Sequence, residues 1–231
     1  MNALVGARTE GRVGYLRLDR PEKRNALNHA LVADALAAVD RFVAEGVGVA
    51  VLEAAGAVFC AGADLGEATA EPPERAASER LLATLMTAPL FWVAAVSGPA
   101  LGAGVAVVAV CPLALCADTA WFALPEIRLG LFPAGVMAYL EPALGSRRAL
   151  ELGLRERRWT ATDALHQSLV NEVVPADRLA DRVADWAAHL AAHPEVTANA
   201  RAAWQSRFTN PAFVGRKAEL DRLLEVPRAR V

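Results

Sequence analysis

Two short stretches rich in glycine and alanine constrain this chain most: Phe59-Cys60-Ala61-Gly62-Ala63-Asp64-Leu65 and Gly98-Pro99-Ala100-Leu101-Gly102-Ala103-Gly104. Each follows an apolar run that reads as a strand, Val47 to Ala54 before the first and Trp92 to Ser97 before the second. Small side chains let backbone come close to a neighbour and leave peptide N–H groups uncovered. Two such loops from separate parts of one chain could aim two N–H donors at one developing oxyanion, which is a means of stabilising an enolate. Taken singly, either loop reads equally well as a turn.

The surroundings of the loops narrow the class. At 231 residues, 55% of them hydrophobic, the chain can bury one sizeable core. No run reaches the ~18 unbroken apolar residues of a membrane span. The most apolar stretch, Phe91 to Leu115, is broken by Gly98, Pro99, Gly102, Gly104 and Pro112 and reads as strand, turn, buried helix and strand. The N-terminus shows no basic segment followed by an apolar one, so no signal peptide is expected. With a net charge of −2 and arginines spread along the chain, neither a nucleic-acid footprint nor a polybasic membrane patch is present.

Cys60, Cys111 and Cys116 are odd in number and lack CxxC spacing, which argues against a disulfide framework or a zinc site. All three read as packing residues, and Cys60 has no base near it in sequence. The setting expected is reducing and cytoplasmic. His29, His166, His189 and His193 form no metal-ligand grouping, and no metal is expected. There is no GxSxG elbow, and Gly102-Ala103-Gly104 lacks the third glycine of a dinucleotide fingerprint.

Periodicity predicts a strand over Val13–Leu18 and a helix capped by Asn28 and running to Ala44, with Leu31, Ala35, Leu36, Val39 and Val43 on one face. A linker is expected at Ala68–Arg75 and a helix at Glu79–Ala88. The second loop should open a helix that runs to Val110, followed by short strands at Leu113–Ala117 and Trp121–Ala123. From Pro133 onward the period is helical. Strand-strand-helix units recur through the first half, and no linker is long enough to divide the chain.

The four segments FCAGADL, AAVSGPALGAG, FALPEIRLGLFPAG and LVNEVVP, in that order, resemble the enoyl-CoA hydratase/isomerase, or crotonase, superfamily over about Val13 to Pro175. The resemblance implies an α/β fold. A ββα spiral core over residues 1–175 would carry an acyl-CoA site, and residues 176–231 would form a helical trimerisation region within one continuous unit. It implies an acyl-CoA thioester substrate, with coenzyme A entering as part of that substrate and no separate cofactor. It also implies a homotrimer or a hexamer of two trimers, with the apolar late helices, Trp186 and Trp204 among them, at the interfaces. Nucleic acid and membrane are not expected partners.

Matched motif to motif, the family's two oxyanion-holding N–H groups fall on Ala63 and Ala103. Relatives usually have glycine at the second position; alanine still presents its N–H if its φ is ordinary. The loop Arg20-Pro21-Glu22-Lys23-Arg24-Asn25-Ala26-Leu27 resembles the coenzyme A entry loop, with Lys23 and Arg24 as phosphate partners. Ala26, Ala61, Asp64, Leu65 and Gly102 match substrate-cradling positions. An acyl wall is expected from Leu65, Leu82, Met86, Leu131 and Phe132, all of which would serve equally well as core.

Hydratases of the family use two glutamates. Here Pro125-Glu126-Ile127 keeps one, while Ala106 stands in the place of the other. Hydration wants one group to activate water and another to supply a proton, whereas one carboxylate suffices to carry a proton from C2 to C4. The favoured expectation is therefore 3,2-double-bond isomerisation with Glu126 as sole acid and base. Two readings stay open: a hydratase-type lyase in which Glu67 or Tyr139 substitutes for the missing glutamate, and a catalytically inactive acyl-CoA binder.

Overall fold

The computed structural model describes residues 3–64, 66, 76–155 and 157–224. Strand β2 (Val13–Leu18) buries every residue but Arg17. It pairs antiparallel with β1 (Val5–Glu10) and parallel with β3 (Val49–Ala54). Strands β4 (Phe91–Val96), β6 (Leu113–Ala117) and β9 (Glu172–Val174) continue in parallel, giving a six-stranded sheet ordered β1-β2-β3-β4-β6-β9. Sequence periodicity misses β1. It is an edge strand with Arg8, Thr9 and Glu10 exposed, so no apolar run marks it.

Both faces of this sheet are covered, which is why its parallel strands are apolar throughout. Val13, Tyr15, Val49, Val51, Phe91, Val93 and Leu115 face helix α7 (Leu179–Ala191), which answers with Leu179, Val183 and Ala187 at four-residue spacing. The alternate residues Leu16, Leu18, Leu52, Trp92 and Val96 belong to the larger core. That core is shared with α1 (His29–Ala44), α2 (Ala77–Thr87), α3 (Ala103–Val110) and α4 (Ala134–Leu144). α1 opens as expected at Asn28, whose side chain accepts from the Leu31 N–H at 3.0 Å. Strand β3 begins two residues later than the sequence suggests. Val47 N–H is held by Phe42 O and Gly48 N–H by Arg12 O, so Val47 and Gly48 still belong to the turn after α1.

A second, smaller sheet joins β5 (Ala100–Leu101), β7 (Trp121–Ala123) and β8 (Trp159–Thr160). Helices α5 (Ser146–Leu154), α6 (Ala161–His166), α8 (Pro194–Thr209) and α9 (Pro211–Leu224) complete the described chain. The late tryptophans, Trp186 and Trp204, are half-buried and each indole N–H is bonded within the chain. Trp204 donates from Nε1 to Val110 O at 2.8 Å, and Trp186 donates to Glu172 at 3.2 Å, because an indole N–H near a core needs an acceptor there. Among the described residues, no helix is long and apolar enough to cross a membrane. The expected linker at 68–75, together with Leu65 and Glu67, lies outside the described residues.

Candidate active site

Both glycine-alanine loops leave the C-terminal ends of neighbouring parallel strands, β3 and β4, and meet there. Their contact is too close for side chains. A methyl group on Gly62, which has φ +91°, would lie 2.8 Å from Leu101 O and 3.2 Å from Ala103 N. The first loop is also stitched to residues 24–27. Leu27 N–H donates to Gly62 O at 2.8 Å, and Asp64 N–H donates to Leu27 O at 3.1 Å. In a trans peptide the C=O and N–H point in opposite directions. Pinning Gly62 O to Leu27 therefore turns the Ala63 N–H away from that strand. Ala103 is the first residue of α3, where a helix leaves its N–H groups without intrahelical partners. Its φ is ordinary, because the left-handed turn falls on Gly102 at φ +51°. Among the described residues, no acceptor meets the N–H of Ala63 or of Ala103.

Glu126 lies beside these donors. It stands in a 3-10 turn, Pro125–Leu129, that Pro125 starts and the left-handed Gly130 ends. Its Oε1 would be 2.9 Å from a methyl on Gly102, so the carboxyl sits against the second loop. Its Oε2 is buried without a hydrogen-bond partner. Burial pushes the Glu126 carboxyl above the ordinary carboxylate pKa. Ala106, one turn beyond Ala103 on the same helix, is fully buried and offers only a methyl group. The arrangement holds two unused N–H donors, the one on Ala103 at the start of a helix whose dipole favours negative charge, and one carboxyl whose ionisation burial opposes.

A platform of residues that motif matching overlooked supports the first loop. Arg20 Nη1 bonds Asp64 Oδ2 at 2.6 Å and Ala26 O at 3.2 Å. This bond, with help from the Gly66 N–H, holds the Asp64 carboxyl below its usual pKa. Asn25 is fully buried with φ +52°. Its Oδ1 accepts from Arg20 N–H at 2.9 Å, and its Nδ2 donates to Ala55 O at 2.9 Å and Val58 O at 2.8 Å. The available signal was an asparagine between a basic pair and an alanine, since asparagine tolerates the left-handed region better than most residues.

The remaining expected site residues fall as follows. Ala61 N–H donates to Arg24 O at 3.0 Å, which joins Ala61 to the loop carrying Lys23 and Arg24. The side chains of Lys23 and Arg24 are exposed, and Ala26 and Asp64 are half-buried. Phe132 is half-buried against the larger core, and so is Leu131 half-buried, whereas Leu82 and Met86 are inside that core. Tyr139 is not free to stand in for a missing acid. It is buried in α4, and its hydroxyl donates to Glu79, which also pairs with Lys217 at 3.0 Å. Glu67 and Leu65 lie outside the described residues.

Comparison with known proteins supplies the frame for this geometry. Residues 8–229 match the model of a family described as enoyl-CoA hydratase/isomerase. A probable enoyl-CoA hydratase of Rhizobium meliloti is 37% identical over 176 residues, covering 74% of this chain and 68% of that protein. A probable mitochondrial enoyl-CoA hydratase of Dictyostelium discoideum is 35% identical over 177 residues, covering 74% of this chain and 63% of that protein. The match therefore spans only about two thirds of the length of these relatives. Among solved structures, an enoyl-CoA hydratase of Mycobacterium smegmatis superposes with a TM-score of 0.82 at 29% identity, covering 99% of this chain and 93% of that one. Family model, relatives and fold agree, and this chain belongs to the enoyl-CoA hydratase/isomerase family, with the crotonase fold.

Proposed function

We propose that the protein acts on an enoyl-CoA thioester and moves its double bond from C3–C4 to C2–C3, through an enolate held by the N–H groups of Ala63 and Ala103. The observation that carries this reading is the solitary Glu126, set against Gly102 with Oε2 buried and unpartnered, while Ala106 leaves a methyl where a second carboxylate would work. In this scheme Glu126 takes the proton from C2. The C–H electron pair moves into the C1–C2 bond, and negative charge settles on the thioester oxygen. The protonated Glu126 then returns its proton to C4 as the double bond re-forms between C2 and C3 and the carbonyl is restored. A carboxyl with a raised pKa suits a base that must become an acid within one turnover.

Around the thioester, Ala26, Ala61, Asp64, Leu65 and Gly102 would cradle the pantetheine side, Lys23 and Arg24 would meet the phosphates, and Phe132 would meet the acyl group. No further cofactor is called for, and the working form is taken as a homotrimer or a pair of trimers. The names of the relatives favour a second reading, water addition to a 2-enoyl-CoA. Besides the probable hydratases, one of them is the 2,3-dehydroadipyl-CoA hydratase of Escherichia coli, 35% identical over 190 residues.

Parallel assays with 3-enoyl-CoA and 2-enoyl-CoA substrates separate the readings. Isomerisation should exceed hydration, and Glu126→Gln should lose ~10²–10⁴ in turnover with substrate affinity largely kept. Faster hydration would establish the second reading. Tight CoA-ester binding without either turnover would mark an inactive binder, and undiminished turnover in Glu126→Gln would remove that residue from the chemistry.

A further inference from the structure

We propose that the Cys60 side chain is a positioning residue that sets the direction of the Ala63 N–H against the second donor, an inference that rests on the oxyanion reading above. Cys60 is fully buried, and the proton-transfer scheme makes no use of it. Its Sγ–H donates to Asn25 O at 3.3 Å, and the Gly62 N–H donates to Sγ at 3.4 Å. The sulfur thus ties the left-handed Arg24–Asn25 pair to the residue just before Ala63.

The second loop hangs on the same residue. Leu101 N–H donates to Cys60 O at 2.9 Å, Cys60 N–H donates to Pro99 O at 3.3 Å, and Cys60 forms a parallel bridge with Ala100. The start of α3 rests on it as well. A methyl on Gly104 would be 2.5 Å from Cys60 O and 3.0 Å from Cys60 Cβ. The sulfur therefore touches the peptide that precedes the Ala63 N–H, while the backbone and Cβ of the same residue meet the helix turn that carries the Ala103 N–H. Burial pushes the thiol up to about 12, so it stays protonated and keeps donating to Asn25 at ordinary pH. Alanine in its place would leave the Gly62 N–H and Asn25 C=O without their sulfur partner inside the protein, while the Cβ and backbone contacts to Gly104 and the second loop would remain. Serine would keep a donor and an acceptor on a shorter arm. Donor placement matters steeply, since a misplacement of about 1 Å can cost ~100-fold in rate.

The test follows the carbonyl as well as turnover. Butyryl-CoA labelled with ¹³C at the thioester carbonyl has no double bond to shift or hydrate. Its infrared carbonyl band, measured free and bound to the intact protein, reports polarisation by the two donors. In wild type the band should move to lower frequency on binding. Cys60→Ala should lose a large part of that movement and lower kcat by roughly 10-fold or more, with KM changed less than about threefold. Cys60→Ser should recover most of both. A Cys60→Ala protein with the wild-type band and kcat overturns the inference while leaving the oxyanion reading intact. Absence of any band movement in wild type overturns both. Should Cys60→Ala fail to fold, Cys60→Val decides, since it fills the space but neither donates nor accepts: a folded valine variant with the wild-type band and kcat contradicts the proposal, and one that has lost much of the band movement supports it.

Discussion

Glu126 occupies a position that opposes its own ionisation, and this has a consequence for stability as well as for catalysis. Burial raises its pKa in the folded protein above the unfolded value. The folded state then binds the proton more tightly. The resulting stabilisation is fully present below the unfolded carboxyl pKa of about 4.3 and is lost as pH rises through the higher folded value. Glu126→Gln carries no charge at any pH. It should therefore resist urea better than wild type at pH 7, with the difference closing toward pH 4. A glutamine variant less stable than wild type at pH 7 would contradict the account. A second residue-scale prediction concerns Ala106, which is fully buried one turn beyond Ala103. Ala106→Glu should create or raise hydration of a 2-enoyl-CoA, at a stability cost of about 1–3 kcal/mol for a carboxyl in apolar surroundings. A soluble variant with unchanged water addition would show that the missing carboxylate is not what limits hydration.

At the scale of elements, α9 is fastened to the two helices beneath it by charge. Arg216 makes two bonds of 3.0 Å to the Glu141 carboxylate on α4. Lys217 reaches Glu79 on α2 at 3.0 Å and Asp221 on its own helix at 2.9 Å. The Tyr139 hydroxyl completes the cluster on Glu79. The Lys217 and Glu79 side chains are only about a fifth exposed, so removing one partner leaves a poorly hydrated charge. Lys217→Met should cost about 1–3 kcal/mol in urea unfolding, and Tyr139→Phe about 1 kcal/mol. Turnover of Tyr139→Phe should stay within about twofold of wild type, because Glu79 already holds the hydroxyl. A loss beyond tenfold would instead place Tyr139 in the proton path.

For the whole molecule, exposed apolar side chains occur on α5 and α6 as well as on the late helices, where Val196 and Val214 stand out into solvent. Leu150, Leu154 and Leu165 are 38%, 52% and 38% exposed. Patches of this kind mark contact surfaces when they are contiguous. A cyclic trimer would cover the same face on each copy with a complementary one. Light scattering at micromolar concentration should give three or six times the 24.4 kDa chain mass. A monodisperse species at the single-chain mass refutes assembly, and Leu154→Arg should shift the distribution toward that mass.

Much was legible in the sequence because local physics alone decides it. The apolar runs Val13–Leu18 and Phe91–Val96, the Asn28 cap and the helix opened by the second loop follow from period and cap, while the place of Glu126 beside the two loops comes only from the family resemblance. What the sequence did not disclose depends on contacts between distant segments. β1 becomes a strand only because β2 offers it an edge. The indole N–H groups of Trp186 and Trp204 take their direction from Glu172 and Val110, acceptors 14 and 94 residues away. Tyr139 is taken out of the candidate site by Glu79, 60 residues earlier, and Arg20 finds Asp64 across 44. Sequence by itself determined which backbone segments can come close together, since that is a property of side-chain size. Only the tertiary structure decided which way each polar group points, because a buried donor or acceptor takes its direction from partners that the chain brings to it after folding.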